Sequence, residues 1–122
     1  MVHIANVGQR GEELARKFLE KKGFVVLESN FKTPRWGEID LVMRDRETIV
    51  FVEVKTRSGS SAKLFGGPLG SINYFKLRAL KRAAQFYLSS KGYDREAARI
   101  DAVSVVLDDK RDAEIEHFLN IP

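Results

Sequence analysis

The sequence predicts a mixed α/β (α+β) protein that forms a single domain over residues 1–122, with a central mixed sheet flanked by helices. Two segments carry apolar residues at helical spacing, and five carry the short β-branched and aromatic runs of strands. Their order along the chain is α-β-β-β-α-β-β, which favours helices packed on a mixed sheet. A composition of 43% hydrophobic and 31% charged residues fits a soluble globular domain.

Two segments are predicted to be helices, over residues 6–22 and from residue 72 or 73 to residue 90. Gly23 and Gly92 stand directly after them, as glycine often does at a helix end. The first helix carries an apolar stripe at 3.6-residue spacing, which comprises Val7, Leu14, Ala15, Phe18 and Leu19.

Five segments are predicted to be strands, over residues 24–29, 37–43, 48–55, 99–108 and 113–120. The turn-rich residues 30–36 and the short polar link at residues 44–47 separate the first three. A Gly/Ser-rich loop begins at residue 56, directly after the third strand. Long loops of this kind are often functional in compact domains.

The composition also disfavours several classes of protein. No apolar run approaches the roughly 20 residues that span a bilayer, and the first ten residues lack the apolar core of a signal peptide. There are no cysteines, so we expect neither disulfides nor thiolate metal ligands. His3 and His117 are far apart in the sequence, and we expect them to be surface or packing residues. A cytoplasmic location, away from any membrane, is the simplest expectation.

Positive charge is concentrated in one part of the chain. The net charge is +4, but residues 55–99 contain ten Lys or Arg against two acids and therefore carry +8. The plain interpretation is a solvated helix face. The sharper interpretation is a surface that binds a polyanion such as nucleic acid.

Charged residues interrupt the two best strands, which is unusual for a hairpin that should be apolar. Glu38 and Asp40 lie in the second strand, and Glu53 and Lys55 lie in the third. The residues around Glu53 are apolar on both faces, which is typical of a central strand. Burying a carboxylate there is costly unless a cation neutralises it. The alternative is an ion pair between Glu53 and Lys55 on an exposed strand.

Two carboxylates on neighbouring strands, Asp40 and Glu53, raise each other's pKa unless a cation lies between them. Oxygen ligands without histidine or cysteine favour Mg²⁺ or Mn²⁺ over zinc. Glu12 adds a further carboxylate at the edge of the first helix's apolar stripe, from where it can lean over the sheet. The alternative for Glu12 is an acid that is favoured near a helix N-terminus by the helix dipole.

The arrangement of Asp40, Glu53-x-Lys55 and a helix-borne Glu12 resembles the PD-(D/E)xK nuclease superfamily. Within that superfamily, the glutamate on the helix is similar to that of the archaeal Holliday-junction resolvases. The closer resemblance is to the YraN-like family of uncharacterised bacterial proteins. It covers nearly the whole chain and is carried by residues 6–24, 37–42, 51–57, 65–72, 99–105 and 115–120, together with Lys76.

The resemblance implies a restriction-endonuclease-like core and a Mg²⁺- or Mn²⁺-dependent endonuclease that hydrolyses phosphodiester bonds in DNA. It implies that Asp40, Glu53 and the carbonyl of Val54 bind the metal, that Lys55 is the catalytic lysine and that Glu12 is an auxiliary catalytic acid. Ile39 stands where the superfamily name has proline, and Gly70 stands where we expected an acid; neither departure touches these five residues.

The same resemblance implies phosphate contacts from Arg57, Lys63, Lys76, Arg78, Lys81 and Arg82. Arg35 and Trp36 flank the site and are expected either to contact a nucleotide or to pack. Selectivity for branched or junction DNA is a finer expectation, and a homodimer would match the two-fold symmetry of a four-way junction. The alternatives are a nucleic-acid-binding module with weak or no activity and a structural subunit of an assembly.

Overall fold

The structure, a computed structural model, describes residues 6–58, 72–108 and 111–122. The predicted order of two helices and five strands is confirmed. The elements are α1 (Val7–Lys21), β1 (Val25–Lys32), β2 (Glu38–Asp45), β3 (Thr48–Ser58), α2 (Tyr74–Lys91), β4 (Ala97–Asp108) and β5 (Arg111–Phe118).

The five strands form one mixed sheet in the order β1-β2-β3-β4-β5. β3 and β4 are parallel, and every other neighbouring pair is antiparallel. The third strand is therefore central, as its two apolar faces predicted. The β2–β3 ladder ends at the pair Leu41↔Val52, whereas the β3–β4 ladder continues to Ser58↔Leu107. The second half of β3 thus keeps its neighbour on one side only.

The hydrophobic core lies in two layers, one on each face of the sheet, because successive side chains of a strand point to opposite faces. Val50 and Val52 of β3 pack in the layer that contains Ala15 and Leu19 of α1. Phe51 lies in the opposite layer, with the buried α2 residues Leu80, Ala83, Ala84 and Tyr87. The two helices therefore cover opposite faces of the sheet, which confirms the predicted α+β class.

Asparagine side chains fix the start of both helices. The Oδ1 atom of Asn6 accepts the N–H of Gln9 at 2.7 Å, and that of Asn73 accepts the N–H of Lys76 at 2.9 Å. Such capping satisfies backbone donors that have no partner within the helix. In α1 the buried Gly11 lies directly against the side chain of Thr56, where any Cβ would overlap the threonine. This close approach brings α1 onto the second half of β3.

The predicted ends of two strands are wrong by several residues. β1 continues through Lys32, although residues 30–36 were expected to form a turn. Asn30 takes a left-handed conformation (φ 50°), and the chain then extends so that Phe31 pairs with Ile39 in β2. The Phe31 ring packs edge-on against Tyr87 at a centroid distance of 5.0 Å, so a tertiary contact extends the strand. β3 likewise continues to Ser58, beyond the expected loop start at residue 56.

A buried polar network joins β4 to the end of β5. The fully buried carboxylate of Asp101 accepts from Arg99 Nε at 2.9 Å and the backbone N–H of Asn120 at 2.8 Å, and its Oδ2 atom lies 2.8 Å from His117 Nε2. His117 is therefore a packing residue and not a surface residue, while His3 lies outside the described residues. Neither α1 nor α2 is long and apolar enough to cross a membrane.

Candidate active site

The candidate site lies where β2 and β3 separate. Asp40 and Glu53 come directly after the last ladder pair, Leu41↔Val52. Beyond that pair the N–H of Val54 has no partner in β2, and it donates instead to Oδ2 of Asp40 at 2.8 Å. The carboxylate of Asp40 thus takes the place of a backbone carbonyl, which holds it beside the central strand.

The surroundings of Asp40 disfavour its negative charge. Burial is the largest of the causes that raise the pKa of its carboxyl from the ordinary 3.8 to about 7, and the charges of Glu53 and Glu12 act in the same direction. The N–H of Val54 and the ammonium of Lys76 lower that pKa and offset only part of the effect. Asp40 therefore takes up a proton at much higher pH than an exposed aspartate does. A bound cation would instead neutralise the negative charge of Asp40.

Glu53 is the most buried acid of the site, with a side chain only 8% exposed. Its Oε1 atom lies 3.0 Å from Nζ of Lys76, whose side chain is 44% exposed. The Asn73 cap places Lys76 in the first turn of α2. The resemblance implied a phosphate contact for Lys76, whereas the structure places it against Glu53.

Glu12 lies on α1 at the edge of the site, half-buried as expected. Its Oε1 atom accepts a hydrogen bond from Asn30 Nδ2 at 2.8 Å. A cleft of about 590 Å³ opens here, lined by Glu12, Asn30, Glu38 and Leu41 among others. Glu12 is near enough to raise the pKa of Asp40. Even so, the described residues contain no group of three His, Cys, Asp or Glu side chains arranged to hold a metal.

Lys55 is half-buried and follows Glu53 by two positions on β3. Successive odd positions of a strand share a face, so Lys55 lies on the same face as Glu53 and Phe51. Among the described residues Glu53 forms its ion pair with Lys76 and not with Lys55. The alternative of a Glu53–Lys55 ion pair is therefore wrong, and the ammonium of Lys55 is not used to neutralise Glu53.

Asp40 and Glu53 are the residues that could hold a metal ion. Both are carboxylates beside each other in a partly dehydrated site, and hard oxygen ligands suit Mg²⁺ or Mn²⁺. Because the chain neutralises Asp40 incompletely, the pair fits a divalent cation with two protein carboxylates as ligands. Lys76 would share Glu53 with that cation.

Five basic residues besides Lys76 were expected to contact phosphates, and four of them lie in the described part of the chain. Arg78, Lys81 and Arg82 are exposed on α2. The guanidinium of Arg82 lies 5.1 Å above the ring of Trp36, so these two side chains stabilise each other. Arg57 is half-buried on β3, and Lys63 lies outside the described residues.

Sequence reasoning missed the contact of Asn30 with Glu12 and that of Lys76 with Glu53. No spacing signal joins either pair, because they lie far apart in the sequence and meet only when a helix docks on the sheet. The hydrogen bond from Val54 N–H to Asp40 was missed as well, although both residues were assigned to the site.

A mixed five-stranded sheet with a helix on each face and two adjacent acids on its central strands has the architecture of a restriction-endonuclease-like core. The model of the uncharacterised protein family UPF0102 matches residues 11–105, and the chain belongs to this family. The expected YraN-like membership is thereby confirmed.

Curated relatives match along most of the chain. A UPF0102 protein of Syntrophomonas wolfei is 42% identical over 114 residues, which cover 93% of this chain and 95% of the relative. A UPF0102 protein of Geobacter metallireducens is 39% identical over 119 residues, which cover 98% of this chain and 93% of the relative. A UPF0102 protein of Alkaliphilus oremlandii is 41% identical over 116 residues, which cover 93% of this chain and 95% of the relative. These names give the family and no activity.

Proposed function

We propose that this protein is a divalent-metal-dependent nuclease that hydrolyses phosphodiester bonds in DNA. One observation supports this above the others: Asp40, with a pKa of about 7, lies beside the buried Glu53 where β2 and β3 separate. A fold keeps a poorly neutralised carboxylate, that of Asp40, beside a second buried carboxylate at a cost, which favours a functional site. Their chemistry favours a hard cation.

Each residue of the site then has a role of its own. Asp40 and Glu53 hold the cation, with the carbonyl of Val54 as a third oxygen ligand. When bound, the cation would polarise the phosphoryl group and lower the pKa of a water molecule. Lys55, free of Glu53, orients the attacking water or offsets charge on the phosphate. Glu12, held by Asn30, acts through its charge on Asp40 and is an auxiliary residue.

Basic side chains around the site hold the polymer. Arg78, Lys81 and Arg82 are exposed on α2, whose first turn contributes Lys76 to the site. Phosphate contacts position a nucleic acid and carry no base information. The nuclease therefore recognises DNA by its structure, for example at a branch, and not by its base sequence.

The Lys76–Glu53 ion pair favours a second candidate, a nucleic-acid-binding module with weak or no activity. The ammonium already neutralises one oxygen of Glu53 at 3.0 Å, so a metal ion has to compete with it or share the carboxylate. If Lys76 keeps Glu53, DNA can bind along α2 without being cut.

Cleavage of linear, flapped and four-way DNA in the presence of Mg²⁺ or Mn²⁺ separates the two candidates. The nuclease proposal expects products from at least one substrate, none in EDTA, and none with Lys55→Ala, which should still bind DNA. Lys17→Ala is the control, because Lys17 lies on the exposed side of α1 and pairs only with Glu13 among the described residues. Binding without cleavage of any substrate by the wild type would leave the binding module.

A further inference from the structure

A row of exposed aromatic rings follows α2 beside the candidate site. Tyr74 is 70% exposed and Phe75 is 75% exposed, and their rings pack edge-on at 5.5 Å. Phe86, three turns further along the helix, is 39% exposed, and Trp36 is 37% exposed. Large apolar side chains of this kind are rarely left grouped at a surface without a partner.

Two rings and the two guanidinium groups between them lie along one line of the helix. At about 100° per residue, Phe75, Arg78, Arg82 and Phe86 fall on one stripe. The guanidinium of Arg82 lies 5.1 Å above the Trp36 ring, which joins Trp36 to the stripe. We call these residues, together with Tyr74, the ring stripe.

The charge of α2 selects the partner. The helix contains five Lys or Arg and no Asp or Glu. A second copy of the chain would bring a like-charged helix against it, which disfavours self-association through this face. A polyanion complements the helix. The rings add a second requirement, because they need flat apolar faces to stack on.

Resting on the proposed nuclease function, we propose that the ring stripe binds a single-stranded segment of the DNA substrate, with unpaired bases stacked on Tyr74, Phe75 and Trp36. Lys76 follows Phe75 in the first turn of α2 and contacts Glu53, so the end of the ring stripe at Tyr74 and Phe75 lies in the same helical turn as a residue of the candidate site. Eleven residues separate Phe75 from Phe86, about 16 Å along the helix. A stacked strand rises about 3.4 Å per nucleotide, so the stripe accommodates about five nucleotides. The substrate is therefore DNA with an unpaired region, not continuous duplex.

Duplex and single strands separate stacking from charge, because the bases of a duplex have no free face. Fluorescence anisotropy is measured in EDTA, so that no cleavage occurs, with a labelled oligothymidylate of about 12 nucleotides and with the same strand annealed to its complement. The variants are Tyr74→Leu/Phe75→Leu, the ring-retaining Tyr74→Phe and the charge variant Lys81→Gln. All substituted side chains are exposed, so the fold should be retained.

We expect the double leucine variant to lose at least about tenfold in affinity for the single strand, because stacking contributes on the order of tenfold or more per base. Its duplex affinity and its salt dependence should not change. Tyr74→Phe should bind both probes like the wild type, and Lys81→Gln should lower the affinity for the single strand and for the duplex by the same factor. The chain has one tryptophan, Trp36, so the single strand should also quench the intrinsic emission.

Unchanged single-strand affinity in the double leucine variant would overturn the proposal, and so would an equal loss on both probes. A wild-type dimer that the same variant dissociates in sedimentation velocity would overturn it too, and would assign the ring stripe to a second copy. The test does not depend on cleavage. If the rings bind single strands but the wild type cuts nothing, the nuclease proposal fails, and the ring stripe is a single-strand-binding surface of a protein that does not cut DNA.

Discussion

Replacing Asp40 with asparagine should make the metal-free protein more stable at alkaline pH. The folded protein raises the pKa of Asp40 to about 7 from an ordinary 3.8, chiefly by burial and then through Glu53. Between these values the folded state binds more protons than the unfolded state, so stability falls as pH rises. The contribution of Asp40 to the free energy of unfolding is fully present below about pH 4 and is lost as the pH rises through about 7. Asparagine removes the charge and can still accept the N–H of Val54.

The size of the effect follows from the pKa shift. Raising the pKa of Asp40 from 3.8 to about 7 corresponds to at most about 4 kcal/mol, and solvent at the half-buried carboxyl reduces this value. We therefore expect Asp40→Asn to exceed the wild type by about 1–4 kcal/mol at pH 8 and to equal it near pH 4.

Urea denaturation in EDTA across this pH range measures the difference. Glu13→Gln is the matched control, because Glu13 is exposed on α1 and should leave the pH dependence unchanged. Parallel stability curves for wild type and Asp40→Asn from pH 4 to pH 8 would show that folding does not raise the pKa of Asp40. They would mean that Asp40 is solvated or already neutralised in the folded protein.

Three further expectations concern packing, ion competition and charge. Gly11→Ala should lower the free energy of unfolding by about 1–3 kcal/mol, because the Cβ of the new alanine overlaps the side chain of Thr56. Gly8→Ala is the control and should not lower it, because a Cβ at residue 8 makes only an ordinary van der Waals contact with Asn6. Lys76→Met should bind Mn²⁺ more tightly than the wild type in calorimetry, because the Lys76 ammonium no longer competes with the metal for Glu53. Weaker Mn²⁺ binding by this variant would mean that Lys76 does not compete with the metal. Duplex affinity should fall with salt at a log–log slope of about −3 to −4, and Lys81→Gln should flatten it by about one unit. A wild-type slope near zero would instead mean that these cations only solvate the helix.

Much of the site's framework could be predicted from strand periodicity. The alternation around Glu53 gave β3 two apolar faces, and the structure places it at the centre of the sheet. The short link between β2 and β3 closes the register at Asp45↔Thr48, which brings Asp40 next to Glu53. A slip of one residue would have moved every side chain of the strand to the other face.

The partners of the acids could not be predicted in the same way. Periodicity says which face of α2 is buried, but not which residue of the sheet its first turn meets. Lys76 reaches Glu53 only because α2 docks with that turn over the open half of β3. Asn30 reaches Glu12 because β1 continues past its expected end. Long-range docking decided both contacts.

Asp40 and Glu53 together should bind one divalent cation, and the number of protons released on binding measures whether Asp40 is a ligand. Mn²⁺ is titrated calorimetrically in two buffers of different ionisation enthalpy. Because a ligand must lose its proton to bind metal, the wild type should release most of one proton at pH 6 and almost none at pH 9. Asp40→Asn should bind no Mn²⁺. Equal binding by the variant, or wild-type binding without proton release at pH 6, would mean that Asp40 is not a metal ligand.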